Sequence, residues 1–402
     1  MKNMRIERKC RKYLALLCSV LLLTLSVPTA AASDGPIQPI SADAAQQGEL
    51  TPPETSAPSY VVMEQTTGGV AAEKDAHKLL PPASLAKMMT TLLVLEAAEA
   101  GTIGLGDLVT ASENACNMGG VEIWLTPGEQ MTVEDLLIAI SIGSGNDAAV
   151  ALAEYISGSE EAFVALMNRK AKQIGMDDTN FLDASGYHPQ SQTSAYDMAL
   201  LSCELLRHEK AAEYATIWMH DLRGGATQLV NTNRLVRFYD GCTGLKTGVS
   251  EQSGNCISAS ASKGEKAFVA VAMGIEKTED SFEDAKALLN FGFDNFTVAV
   301  PEVEPSLIHP VKITGGVKNE TLPEISGSTA VLIPTGKSGE LKIEAAVADE
   351  VEAPVRAGQQ LGLVKISLGG EVLDERAVLA AEDVEAMTFW NAFLILLRRL
   401  LC

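Results

Sequence analysis

Residues 81–90 read Pro81-Pro82-Ala83-Ser84-Leu85-Ala86-Lys87-Met88-Met89-Thr90, and they open an apolar stretch whose helical spacing runs from 85 to 100. A helix that starts just after two prolines puts Ser84 at its N-terminus, and Lys87 falls one turn later on the same face. That spacing brings an amine within reach of a hydroxyl. A serine hydroxyl is a poor nucleophile at neutral pH, and a lysine can act as its base when burial and nearby positive charge depress the amine's pKa. Taken alone, S-x-x-K is also what a helix-capping serine beside a solvated lysine looks like.

Two further patterns lie downstream. Ser144-Gly145-Asn146 interrupts the apolar helical runs 136–142 and 148–156, and the glycine predicts a tight turn aiming a hydroxyl and an amide into one site. Lys246-Thr247-Gly248 lies between the turn Asp240-Gly241 and the β-rich segment 256–273, which predicts a strand. There a lysine supplies charge, a threonine a hydroxyl for a carboxylate, and a glycine room for another backbone. An ordinary capping turn and a surface strand edge are the plainer readings of these two. The same short patterns recur at Ser260 to Lys263, Ser112 to Asn114, Ser253 to Asn255 and Lys337 to Gly339, so spacing alone does not choose among them.

Around these patterns, residues 58–296 mix helical stretches (85–100, 132–156, 160–174, 194–208, 283–291) with strands at 60–63, 256–261 and 267–273. That reads as one α/β (α+β) unit with strands at both ends of the segment. After Phe296, prolines punctuate short β-type runs at 330–333, 341–347 and 361–367, so 297–380 reads as a small β-rich domain. Residues 381–402 form an apolar segment around Arg398 and Arg399, too short to span a bilayer but suited to a membrane interface; docking on the β-rich domain is the alternative.

At the other end, six Lys or Arg residues precede the apolar run 13–25 and Ala30-Ala31-Ala32, so 1–32 reads as a secretory signal, with a retained anchor as the alternative. Residues 33–57, rich in Pro, Ser, Thr, Ala and Gln, read as a flexible leader. Formal charge is -21. Removing 1–32, with six Lys or Arg and one Glu, would take it to -26, a surface that repels phosphate backbones, so no nucleic-acid partner is expected. Seven cysteines without C-x-x-C, and five histidines without H-E-x-x-H, point to no metal and no cofactor.

In chain order, Pro82-Ala83-Ser84-Leu85-Ala86-Lys87-Met88-Met89-Thr90, Ser144-Gly145-Asn146-Asp147-Ala148-Ala149 and Asp240-Gly241-Cys242-Thr243-Gly244-Leu245-Lys246-Thr247-Gly248 resemble the low-molecular-weight penicillin-binding D-alanyl-D-alanine carboxypeptidases. The likeness covers about 58–402. It implies a penicillin-binding/β-lactamase-like transpeptidase fold, an antiparallel sheet flanked by helices, with an all-β C-terminal domain and an amphipathic terminal helix that holds the enzyme to the outer face of the cell membrane. It implies that Ser84 attacks the terminal D-Ala-D-Ala bond of peptidoglycan stem peptides, that Lys87 takes its proton, and that Ser144 with Lys246 passes a proton to the leaving amine. Asn146 and Thr247 would hold the substrate amide and carboxylate, Gly248 would line the strand, and the N–H groups of Ser84 and Val249 would form the oxyanion hole. β-Lactam antibiotics would acylate the same serine. Two positions depart from many relatives: Ser281 stands where they carry arginine, and Ser191 where His or Gln is frequent. A catalytically weak sensor or scaffold that binds penicillin or wall peptides is the alternative. The β-lactamase reading lacks an E-x-x-L-N element, and a Ser-His-Asp hydrolase lacks G-x-S-x-G.

Overall fold

The computed structural model describes residues 50–401. The segment read as a secretory signal, and residues 33–49 of the leader, lie outside the described residues. The end of the expected leader is held in place, because the Asp284 carboxylate accepts the Ser56 hydroxyl at 2.7 Å and the Ala57 N–H at 2.9 Å.

The first fold unit is built on a five-stranded antiparallel sheet ordered β2-β1-β9-β8-β7, with β1 Ser59–Glu64, β2 Val70–Lys74, β7 Cys242–Ser250, β8 Gly254–Lys263 and β9 Lys266–Ile275. Strand β1 therefore crosses to pair with β9, about 200 residues away in sequence. Both faces of the sheet are covered. Val61, Met63, Val269, Val271 and Met273 pack into a helical core on one side, and Tyr60, Val62, Phe268, Ala270 and Ala272 pack against Phe282, Leu288 and Leu289 on the other. This is why β9 reads Ala-Phe-Val-Ala-Val-Ala-Met without a polar alternation: successive residues go to opposite faces, and neither face meets water.

The helical side contains α1 Lys87–Glu99, α2 Val133–Ile138, α3 Asn146–Ser157, α4 Glu160–Gln173, α5 Ala195–Leu205 and α6 Glu209–Ala215, and α7 Thr278–Asn295 covers the other face. Helix α1 is buried on nearly all sides from Lys87 to Leu95, as an all-round apolar helix must be. The sequence reading joined 132–156 with one turn. In the structure α2 passes into a π-turn at Ala139–Gly143, Ser144 takes left-handed φ 63°, and α3 starts at Asn146. Two antiparallel strand pairs not singled out by the sequence pattern join β3 Leu108–Thr110 to β4 Gln130–Thr132, and β5 Met219–Leu222 to β6 Thr227–Val230. Their strands are too short to show periodicity.

The second fold unit is all β. β10 Phe296–Ala299 pairs with β14 Val331–Pro334. β12 Glu320–Thr321, β11 Val311–Thr314 and β16 Glu350–Glu352 form a three-stranded sheet, and β13 Pro323–Ile325, β18 Glu371–Ala380, β17 Gln360–Leu368 and β15 Leu341–Val347 form a four-stranded one. Helix α8 Phe389–Leu401 follows. Among the described residues no helix is long and apolar enough to cross a membrane.

Candidate active site

Residues 83–86 form a single 3-10 turn, and Lys87 opens α1. Ala83, immediately before Ser84, has φ 46°, a conformation that L residues adopt only when the surroundings impose it. Two glycines make that possible. A Cβ on Gly186 would lie 1.8 Å from the Ala83 carbonyl oxygen, and one on Gly248 would lie 3.0 Å from the Ser84 nitrogen. Strand β7 and the loop at 183–187 thus press directly on the turn that presents Ser84.

Lys87 is 1% exposed, and its Nζ lies 3.1 Å from Ser84 Oγ, 2.7 Å from Asn146 Oδ1 and 2.7 Å from the Ser185 carbonyl oxygen. Burial, and then the nearby Lys246, hold its pKa well below the ordinary lysine value, against opposing pulls from Asp183 and Asp147. The contact set suits the neutral amine. Asn146 Oδ1 and the Ser185 carbonyl are pure acceptors and take its two N–H bonds, so the lone pair is left for the Ser84 hydroxyl proton. That is the arrangement of a general base aimed at a nucleophile.

Ser144, Gly145 and Asn146 divide their roles differently from the sequence expectation. The left-handed residue is Ser144, not the glycine, and Gly145 is extended at φ -60° and ψ 119°. A Cβ there would lie 3.0 Å from Asp147 Oδ1, a tight contact that a larger residue would meet by displacing that carboxylate. Ser144 Oγ is buried and has no hydrogen-bond partner among the described residues, so its hydroxyl is uncommitted. Besides accepting from Lys87, Asn146 donates from Nδ2 to the Gly119 carbonyl at 2.7 Å, which leaves one amide hydrogen for a ligand. Asp147 accepts the Ile123 and Leu125 N–H groups at 3.0 and 2.9 Å, and so ties down the strip 119–125.

On β7, Lys246 is buried and its Nζ donates to the Thr247 carbonyl at 3.1 Å. Burial pushes its pKa down to about 7. Thr247 Oγ1 donates to Thr232 Oγ1 at 2.8 Å, and Thr232 N donates to the Ile142 carbonyl at 3.1 Å, so this residue links β7 to the π-turn before Ser144. Val249, paired with Asn255 next to the turn that joins β7 to β8, is 68% exposed. Ser84, Lys87, Ser144, Asn146, Lys246, Thr247, Gly248 and Val249 thus come from three segments that meet around the Ser84 turn.

The sequence reading missed the loop behind Lys87. Asp183 Oδ2 accepts the Ser185 hydroxyl at 2.6 Å and the Tyr187 N–H at 2.8 Å, and this fixes the carbonyl that Lys87 uses. Its composition, Asp-Ala-Ser-Gly, carried a turn signal but no chemical one. Ser191, one of the two departures, belongs to the same loop: its hydroxyl accepts the Leu182 N–H at 3.1 Å and donates to Asp183 Oδ1 at 3.4 Å. Ser281, the other, is buried and donates to the Thr278 carbonyl at 2.6 Å in the first turn of α7. The recurring patterns are structural: Asn255 donates to the Ile275 and Glu276 carbonyls, Ser260 accepts the Thr243 hydroxyl, and Lys263 lies 4.4 Å over the Tyr239 ring. Among the described residues no three of His, Cys, Asp and Glu gather as metal ligands.

Comparison with known proteins agrees with this geometry. Residues 46–277 match the family described as D-alanyl-D-alanine carboxypeptidase, and 311–386 match the penicillin-binding protein 5 C-terminal domain. The chain is 38% identical over 357 residues to the D-alanyl-D-alanine carboxypeptidase DacF of Bacillus subtilis, covering 87% of this chain and 91% of that one. Among solved structures, penicillin binding protein 5 of Haemophilus influenzae has a TM-score of 0.75 at 30% identity, covering 83% of this chain and 99% of that chain. Penicillin-binding protein D2 of Listeria monocytogenes, solved in its ampicillin-bound form, has a TM-score of 0.55 at 30% identity, covering 60% of this chain and all (100%) of that chain.

Proposed function

The chain belongs to the D-alanyl-D-alanine carboxypeptidase family, and from that premise we propose that its cleft is a serine acyl-transfer site with Ser84 as nucleophile and Lys87 as base. The activity is that of a serine-type hydrolase removing a C-terminal D-alanine. Ser84 Oγ attacks the carbonyl of the penultimate residue while its proton passes to the Lys87 lone pair. The negative charge that develops on the carbonyl oxygen is met by the Ser84 and Val249 N–H groups. The C–N bond then breaks as the proton that Lys87 took passes through Ser144 and Lys246 to the D-alanine amine, which leaves with it and returns Lys87 to its neutral form. Water, deprotonated by Lys87, cleaves the Ser84 ester and restores the enzyme. Asn146 holds the substrate amide through its remaining amide hydrogen, and Thr247 with Lys246 receives the terminal carboxylate beside the close approach that Gly248 allows.

The observation that carries this reading is the set of contacts on the buried Lys87 amine, two to acceptors and one to the Ser84 hydroxyl. Purified protein is expected to release D-alanine from a pentapeptide ending in D-Ala-D-Ala, and penicillin is expected to leave one adduct, located at Ser84 by peptide mass spectrometry. An adduct elsewhere, or none, sinks the assignment.

The two lysines also set a pH profile. Neutral Lys87 is the active base, so rate rises with pH through its depressed pKa, whereas charged Lys246 is the active cation, so rate falls as pH passes about 7. A bell-shaped kcat/KM is expected. Lys246→Arg, which stays charged, should move the descending limb to higher pH; an unmoved limb refutes this role for Lys246.

Location is part of the same proposal. Residues 1–32 carry the features of an export signal, and α8 exposes Phe389, Trp390, Phe393, Leu394 and Leu397 on a helix of 13 residues, which supports lodging in the interface of the outer membrane leaflet rather than spanning. Cutting after Thr388 keeps Val384 in the β-domain core and the Met387 N–H bond to the Gly315 carbonyl. The full chain is expected to sediment with membranes and the shortened one to stay in the supernatant. Equal sedimentation overturns the tether.

A further inference from the structure

Trp124 is 74% exposed, and its backbone is left-handed at φ 56°. A bulky residue takes that conformation at a cost, and only when its surroundings impose it. Five non-glycine residues among the described residues have such a φ. Two of them, Ala83 and Ser144, belong to the catalytic cleft, and two more, Trp124 and Arg223 at φ 53°, are joined to each other by a hydrogen bond.

The backbone around Trp124 is clamped from both sides. The Ile123 and Leu125 N–H groups donate to the two oxygens of the Asp147 carboxylate at 3.0 and 2.9 Å. Arg223 donates to the Ile123 carbonyl at 2.9 Å and to the Trp124 carbonyl at 3.4 Å, and its own Nε is held by Glu129 at 2.6 Å. Ile123 and Leu125 are buried, at 1% and 6% exposure. The chain therefore sinks into the core on either side of Trp124 and turns the indole outward. Its exposure is imposed by the fold, and a ring held this way needs no ordering when a ligand arrives.

The placement points to what the ring meets. Asp147 directly follows Asn146, the residue that holds the substrate amide, so Trp124 stands one side chain away from the site. In a pentapeptide ending in D-Ala-D-Ala, three residues separate that unit from the sugar to which the peptide is attached, and extended they reach about 10 Å. The C–H face of a pyranose packs on an aromatic ring, and the indole N–H can donate to a hydroxyl or an acetamido carbonyl. Neutral sugars meet no repulsion from a chain of formal charge -21, as an anionic polymer would. One indole offers at most about 250 Å², far below the roughly 800 Å² that each partner gives to a stable protein contact, so it suits a ring-sized ligand.

We propose that Trp124 is a stacking platform for a neutral N-acetylated hexose of the glycan strand that carries the stem peptide. This rests on the acyl-transfer reading above. Trp124 touches no reacting atom, so it acts on the capture of glycan-linked substrate and not on the chemical step.

The test compares KM for a free pentapeptide ending in D-Ala-D-Ala with KM for the same pentapeptide linked to its disaccharide. The full chain should show a KM about tenfold lower for the linked peptide. Trp124→Asn, whose new side chain tolerates a left-handed backbone, should erase that difference while leaving kcat and the free peptide's KM as they were. Trp124→Phe, which keeps a ring, should preserve most of it. Equal KM values for the two substrates in the native protein, or a KM ratio in Trp124→Asn that matches the native one, overturns the platform. Binding is read separately by the NMR line broadening of peptide-free glycan strands. Broadening by the native protein that is lost in Trp124→Asn supports the platform even where neither peptide is turned over, an outcome that would strike at the catalytic reading alone. Broadening that is the same with both proteins overturns it.

Discussion

Ser84→Ala is expected to abolish the penicillin adduct and to lower D-alanine release by at least about a thousandfold, because no other group occupies the end of the Lys87 lone pair. The loss should be one of chemistry and not of fold. Lys87 keeps its bonds to Asn146 Oδ1 and the Ser185 carbonyl, and Ser84 itself is only partly buried, so thermal unfolding should change little. A Ser84→Ala protein that still carries a penicillin adduct, or still releases D-alanine at a comparable rate, would show that the nucleophile is elsewhere.

Gly186→Ala should be nearly as damaging, through geometry alone. The added methyl carbon would be placed 1.8 Å from the Ala83 carbonyl oxygen and 2.9 Å from Ala86 Cβ, at a φ of 78° that already disfavours any L side chain. Neither neighbour is the end of a flexible side chain, so the turn carrying Ser84 must shift or the protein must lose stability. A loss of roughly 3 kcal/mol or more is expected, with acylation slowed about a hundredfold in whatever remains folded. Gly158→Ala is the matched control. It has the same φ of 78° with nothing within 4 Å of the added carbon, and it should lose only about 1 kcal/mol with normal acylation. Equal behaviour of the two variants in thermal unfolding and penicillin labelling would mean that the contact between Gly186 and Ala83 does not hold the nucleophile's turn.

Much of this site is legible in the chain, for reasons of local geometry. Serine and lysine three positions apart at a helix start must lie on one face, and the 3.1 Å contact follows from the spacing. Strand β9 stands out as an apolar run and β8 as an alternating Ser/Ala stretch, both bounded by turns, while β3 to β6 do not, because three or four residues are too few to display a period. The Ser144 turn was legible as a turn but not as to which residue bends, since a left-handed serine is held by its surroundings and leaves no mark in composition. Ser281 and Ser191 read as departures in sequence, yet the structure gives both hydroxyls local partners within their own segments.

By itself, then, the sequence determined the helix that carries Ser84 and Lys87, the buried strands, and the presence of three polar patterns compatible with acyl transfer, because each is a matter of neighbours within a few residues. Only the tertiary structure decided which copies of those patterns meet, and that Lys87 reaches Asn146 and Ser185 at separations of 59 and 98 residues. It also decided that both lysines lose their ordinary pKa. Desolvation and long-range approach depend on how the whole chain closes around a point, and no local spacing records them.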